Sequence, residues 1–335
     1  MVGSSSAFAK SLTVYGKIHV SADAVDKGSD KEYAIGSNST RIGFKGDKNI
    51  KYNLRAVWKL ESDIDASGER HFLKARNRYL GLQHKRAGTL LVGVHDTPYK
   101  TLGGKAGVFH DTIGERRGIL GAGNGSNKIN IRGKNSVLYV TPKLGGFHAR
   151  AMYSVGNDSS DKLESNPFYS LSALYEKKMF YVGVAYEDQV AVVTDSDKNI
   201  QSDTKGLRVS TGIKIGGTKV NAIYEKLSSD TNKPFDRNAY GGSVAQRFGD
   251  TTFKAQLFMS GDYSGTDDSS AMIYAVGVDH KLDKAFTTYL VLAGVSNKDN
   301  AKVPLAGSGH GEKFAPSAAG ENLKGVSVGM IYKFK

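Results

Sequence analysis

From Ser11 onward the chain alternates with a period of two. Leu12, Val14, Ile18, Val20 and Ala22 fall on one face, and Thr13, Tyr15, Lys17, His19, Ser21 and Asp23 on the other. That spacing predicts a strand with one apolar face. After a polar stretch, VDKGSDKEYAIGSN, read as a loop, STRIGFKG sets Ile42 and Phe44 against Arg41 and Lys45. NLRAVWKLE then sets Leu54, Ala56, Trp58 and Leu60 against Asn53, Arg55, Val57, Lys59 and Glu61. ARNRYLGLQ, TLLVGV, NSVLYVTP, FHARAMYSV, FYSLSALYE and MFYVGVAYED continue the alternation, and so do the segments from GLRVSTGIKI to the last, GVSVGMIYKF. Counted this way, the chain predicts about sixteen strands.

The connections alternate as well. Tight turns such as KRAG, KLGG and Gly216-Gly217 take turns with long polar loops such as GNDSSDKLESN, QVAVVTDSDKNIQSDT and the stretch from Asn297 to about Lys324. An up-and-down antiparallel barrel whose two rims face different compartments sorts its connections in this way. The side chains of a barrel this wide could not fill its centre. The oily face must therefore point outward against lipid, and the charged face must line water. Closure also leaves no unpaired strand edge, which a bilayer requires. The predicted fold class is thus all-β, a transmembrane up-and-down barrel forming a single domain over residues 10–335. One connection breaks the grammar. Between LLVGV and NSVLYVTP lie almost forty residues rich in Gly, Asn and charge, with no sustained period. Loops of that length are uncommon unless functional or disordered, and this one, about residues 96–134, is read as folding into the lumen and narrowing it.

Composition agrees with this reading. Forty glycines, 17 tyrosines and 14 phenylalanines stand beside only six prolines and one tryptophan, a balance suited to many strands joined by tight turns. Cysteine is absent, which excludes disulfides, thiolate metal sites and cysteine catalysis. No window approaches 18 consecutive apolar residues. The mean hydropathy of −0.37 does not argue against a membrane barrel, since only half of each barrel strand meets lipid. The net charge of +13 attracts anions, nucleic acid or acidic surfaces. Its basic residues are spread singly through strands without the blocks of a nucleic-acid arm, so no nucleic-acid partner is expected. At the N-terminus Ala7-Phe8-Ala9 has the small-x-small form of a signal-peptidase site, and residues 1–9 are read as a signal-peptide remnant or tail.

With these segments in order, the chain resembles the general porin family of Gram-negative outer membranes. The resemblance is carried by SLTVYGKIHVS, TRIGFKG, NLRAVWKLE, NRYLGL, VGVHDTPYK, KNSVLYVTP with GGFHARAMYS, and the aromatic-ended GVSVGMIYKF. It implies a sixteen-stranded, water-filled barrel, a homotrimer in an outer membrane with lipid and lipopolysaccharide around it, whose third extracellular loop forms the constriction. It also implies a ladder of basic wall residues, here Arg41, Arg76 and Lys134, facing acidic loop residues, here Asp111 and Glu115. Strand parity adds Lys17, Arg55 and Arg78 to the inner face. Two departures stand out. Phe334 is followed by Lys335, and the loop reads FHDTIGERRG where many enteric porins have Pro-Glu-Phe-Gly-Gly.

Arg116 and Arg117 directly follow Glu115 and weaken or reverse the negative side of the loop. Inward-parity bases (also Lys45, Lys59, Arg150, Arg208, Lys214, Lys219, Arg247 and Lys254) outnumber the corresponding acids (Asp23, Glu61, Glu176, Glu187, Glu225 and Asp279). The expectation is a passive channel for small hydrophilic solutes and ions that prefers anions. A substrate-specific channel for phosphate or organic acids, or a surface structural or adhesive barrel, are the alternatives. No enzyme activity, cofactor or metal is expected. His148 with a nearby serine lacks a third, orienting group, His95 and His110 read as solvated, the acidic runs SSDTNKPFD and GTDDSS read as solvated loop carboxylates rather than a calcium site, and GGKAG and GAGNG lack the strand-to-helix context of a phosphate loop. Phe44, Tyr153, Tyr175, Tyr186, Phe248, Phe286, Tyr332 and Phe334 read as interfacial girdles.

Overall fold

A computed structural model describes residues 12–28, 30–68, 74–122, 129–156, 167–195, 198–230 and 235–335. The remnant read at residues 1–9 lies outside them. Sixteen antiparallel strands are found among the described residues: β1 Thr13–Asp26, β2 in two parts Lys31–Ser37 and Arg41–Asn49, β3 Leu54–Asp63, β4 Lys74–His84, β5 Gly88–Asp96, β6 Arg132–Val140, β7 Phe147–Ser154, β8 Phe168–Glu176, β9 Phe180–Asp195, β10 Lys198–Ile215, β11 Thr218–Ser229, β12 Phe235–Phe248, β13 Thr251–Ser260, β14 Ala271–Lys281, β15 Phe286–Asn297 and β16 Leu323–Phe334. Each pairs with the next in sequence, and β16 returns to β1 from Gly16↔Phe334 to Asp26↔Lys324, closing the barrel.

The period-two pattern resolves into the two faces. Ile18, Leu60, Leu80, Val92, Val137, Val182, Val276 and Val328 are exposed on the outer surface, where lipid rather than water covers them. Their neighbours along each strand, such as Lys17, Glu61, Ser136 and Ser327, are buried in the lumen. Within the barrel Phe109, Ile113, Ile119 and Leu120 of the long loop pack with Phe258, Ile273, Tyr289 and Val291 of the wall.

Two stretches read as loops are strand. Lys31–Ser37 pairs with β1, and the β9–β10 hairpin pairs as far as Asp195↔Lys198. In the first, Tyr33 and Ile35 keep the outward alternation through a sequence whose glycine, serine and charge look like a loop. The two halves of β2 meet at a bulge over Asn38–Thr40. The Asn38 amide and the Thr40 hydroxyl both donate to the carbonyl of His19 (2.8 and 3.0 Å), and Ser39 takes the left-handed conformation at φ 50°.

The β5–β6 loop, expected to lack periodic structure, opens with a short helix, α1 Pro98–Gly103. Thr97 caps it by accepting the Lys100 amide, and Pro98 starts its first turn, the usual chemistry of a helix start.

Candidate functional site: the lumen constriction

The β5–β6 loop is fastened across the lumen by polar groups from many strands. On one side the β10 arginine Arg208 is buried and forms an ion pair with Glu225 of β11. Its guanidinium also donates to the carbonyl of Tyr99 (2.9 Å) and to Asn130 Oδ1 (3.0 Å), and lies 3.8 Å from the centroid of the Tyr99 ring. Tyr99 donates its hydroxyl to Glu225 (2.8 Å), and the Gly121 amide donates to the other carboxylate oxygen (2.7 Å). A Cβ on Gly103 would run into the Arg208 guanidinium, and one on Gly206 into the Tyr99 ring. Glycine at both places is what lets helix and wall come this close. Further round, Ser243 donates to the Ala106 carbonyl (2.5 Å), the Val108 amide donates to Gln256 (3.3 Å), and Arg237 donates to the Ile119 carbonyl (2.5 Å).

The charged end of the loop faces β1. Asp111 accepts from Lys17 Nζ (2.9 Å), from Arg117 (3.1 Å) and from the Ser39 hydroxyl (3.2 Å). Glu115, 1% exposed, binds Arg116 through one oxygen (2.8 Å), and through the other binds Arg117 (2.9 Å) and accepts the Asp111 amide (3.0 Å). Burial alone would raise both carboxyl pKa values. The neighbouring cations outweigh it: Arg117 and Arg116 hold Glu115 at about 2, while Lys17 and Arg117 hold Asp111 far below the usual carboxylate range. The loop's acidic and basic groups thus neutralise one another.

The facing wall carries a second cluster, centred on Glu61 of β3. Tyr15 donates its hydroxyl to Glu61 (2.6 Å), Arg76 binds both Glu61 and Asp63 (2.7 Å each), Lys59 lies 3.0 Å from Glu61 and Arg41 3.9 Å from it. A third group sits where the loop leaves and rejoins the barrel. Asp96 pairs with Lys100 (2.8 Å) and Arg132 (3.1 Å), and Asn77 bridges Asp96 and Arg132 (3.0 and 3.2 Å). In these three ion-pair groups eight basic side chains meet five acidic ones, an excess of three positive charges.

Of the residues picked from the sequence, Lys17, Arg41 and Arg76 come together with Asp111, Glu115, Arg116 and Arg117 in these groups, and three others do not. Arg78 faces outward. It opposes the exposed Leu60 on one side and Val94 on the other, because the β3–β4 register shifts between Leu60 and Ser62; this bulge sends Arg76 inward and its i+2 neighbour to the opposite face. Arg55 is at the tight-turn rim, paired with Asp47 (2.6 Å) and half exposed, one strand length from the loop. Lys134 is exposed at a second bulge, between Gly133, which opposes the inward His95, and Ser136; Asn135 beside it has φ 46°. Arg132 stands in the cluster where Lys134 was expected. Sequence reading missed it, together with Asp96, Lys100 and Asn77, because the alternation fails when followed back past Ser136. His95 and His110, read as solvated, each have a protein partner. His95 packs against Tyr79 and bonds the carbonyl of Asp96, whereas His110 contacts Arg116.

A closed barrel with an apolar outer face and a charged, loop-constricted lumen has the geometry of a pore, and comparison with known sequences agrees. The family model for Gram-negative porins matches residues 1–300. The chain belongs to the Gram-negative porin family. Outer membrane porin protein 32 of Delftia acidovorans is 25% identical, covering 97% of this chain and 94% of its own length, and a major outer membrane protein P.IB of Neisseria gonorrhoeae is 24% identical over 81% of this chain and 80% of its own. Among solved structures, an anion-selective porin from Comamonas acidovorans superposes with a TM-score of 0.80 at 22% identity, covering 96% of this chain and 99% of that one. The trimer form of OmpT from Vibrio cholerae gives 0.72 at 17% identity, over 96% and 99%. This porin is therefore a multi-pass β-barrel of a bacterial outer membrane, and its tight turns mark the periplasmic rim.

The porin also folds its last long connection inward, a feature the alternation did not reveal. Leu305 and Phe314 pair in an isolated bridge and are fully buried, the Ala306 amide donates to the Ile113 carbonyl (3.1 Å), and His310 lies 3.1 Å from Asp23 on β1. The β15–β16 loop thus braces the constriction loop from the extracellular side.

Proposed function

We propose that this porin is a passive diffusion channel for small hydrophilic solutes and ions, with a preference for anions set by the wall groups around Glu61 and Asp96. The observation that carries the reading is the imbalance of charge in the lumen. The loop's carboxylates are consumed by Lys17, Arg116 and Arg117, so the negative side of a transverse field is largely cancelled, while Arg41, Lys59 and Arg76 share Glu61 and Asp63. Fixed charge in a narrow passage with low-dielectric walls concentrates counter-ions, here anions. The solved anion-selective porin of the same fold supports this reading, and the trimeric OmpT supports a homotrimer. Outer-membrane lipid and lipopolysaccharide are the partners of the exposed apolar belt.

Nothing in this mechanism calls for bond chemistry, so the protein is read as a channel rather than an enzyme. Reconstitution into liposomes tests the pore itself. Small neutral sugars should enter and swell the vesicles at rates falling with molecular size. Vesicles carrying folded protein that do not swell would favour the surface structural barrel.

A further inference from the structure

Below the constriction loop, toward the periplasmic rim, stands Arg150 of β7, a lumen cation that forms no ion pair among the described residues. Its direct cross-strand neighbours are Val140 on β6 and Ser172 on β8, so no carboxylate opposes it. Its Nε is buried without a hydrogen-bond partner, and the same holds for Nδ1 of His148, two residues away on the same inner face. The carboxylate beside them, Glu176, is already bound to Lys105 of the loop and lies 3.6 Å from Lys143. Arg150, His148, Ser172, Glu176 and Lys105 line a pocket of about 80 Å³, about the liquid volume of three waters at ~30 Å³ each. Arg208, by contrast, has Glu225 directly opposite it in register.

We propose that this pocket is an anion-binding station distinct from the wall clusters, in which Arg150, with Ser172, His148 and Lys105 around it, takes a small oxyanion such as phosphate from the periplasmic side. A buried guanidinium N–H without a partner is costly unless something accepts from it. An arginine fork matches two oxygens of a phosphate or carboxylate. The Ser172 hydroxyl, facing Arg150 across the strand pair, supplies a neutral donor, and Arg150 with Lys105 leaves the pocket positive after Glu176 is counted. Occupancy by an oxyanion would place a solute one step below the constriction and slow the chloride current.

The proposal rests on the reading of this porin as an anion-preferring pore, and the test separates the two. Single channels in a planar bilayer with potassium chloride receive inorganic phosphate on the periplasmic side. The expected result is a saturable reduction of the chloride current. In Arg150→Gln the half-blocking concentration should rise about tenfold, as for the loss of a charged hydrogen-bonding partner. In Arg150→Lys, which keeps the charge without the fork, it should rise less. Arg78→Gln, on the outward face of β4, should block like the wild type. Folding of each variant is checked by its heat-modifiable gel mobility. A block that never saturates, or one unchanged in both Arg150 variants, overturns the site while leaving the pore standing. A channel that carries no current, or prefers cations, instead removes the reading beneath it.

Discussion

At the scale of single residues, a shift of one position decides whether a charge faces solute or lipid. Arg76 and Arg78 share a parity in sequence, yet the bulge opposite Leu60 and Ser62 puts Arg76 on Glu61 and Asp63 and turns Arg78 outward. Arg76→Gln should move ion selectivity toward cations, whereas Arg78→Gln should leave it within error of the wild type; equal shifts from the two would place both in the lumen. Glu115 is the second residue-scale test. Its pKa of about 2 in the folded protein lies below the ~4.3 of a free glutamate, so its contribution to loop docking is present above that ordinary value and is lost as the pH falls from about 4.3 through about 2. Channel records should be quiet at neutral pH and should develop closing flickers across that acid range. Glu115→Gln should flicker at pH 7 and show no further change over the same interval; an acid response identical to the wild type would assign it to other groups. That Arg116 and Arg117 offset Glu115 was legible in the sequence. Which oxygen each takes, and that Arg117 also reaches Asp111, was not, since i,i+1 neighbours on a loop carry no fixed geometry until the wall supplies it.

At the scale of elements, alternation made the strands readable because every turn of the pleat separates lipid from water. It gave way where the backbone departs from the pleat, at Asn38–Thr40, in β4 before Arg78 and at Asn135 in β6. The same departures displaced Lys134 from its expected place and hid Arg132. The loop's length and composition announced it, but its fastenings come from residues more than a hundred positions away, such as Glu225 to Tyr99 and Arg237 to Ile119. The Arg208–Glu225 clasp is the strongest of these by burial. Arg208→Ala leaves a buried, unpaired carboxylate and should lower stability by about 3–5 kcal/mol, measured by denaturant unfolding, with greater open-channel noise. Replacing both partners by apolar residues of similar size should recover much of the stability while the noise persists, because the Tyr99 and Gly121 anchors go with the pair. A single variant as stable and as quiet as the wild type would show that the helix is held by its other contacts alone.

At the scale of the whole molecule, fold and function follow from one asymmetry. Lipid demands an apolar outer face and a closed hydrogen-bond ladder. That demand leaves the inner half of each strand free to carry charge, and a loop held by that same inner face narrows the passage. On the proposed reading, the excess of basic over acidic groups in the narrows then selects the sign of the ion. The measurement closest to that claim is the reversal potential of single channels under a potassium chloride gradient, for the wild type and for the Arg41→Gln, Arg76→Gln double variant. The wild type should reverse at the sign of a chloride-preferring pore, and the double variant should shift toward the potassium side while conductance persists. A wild-type channel that prefers potassium would contradict the account, since it would mean that the paired carboxylates of Asp111 and Glu115, and not the wall bases, govern the constriction.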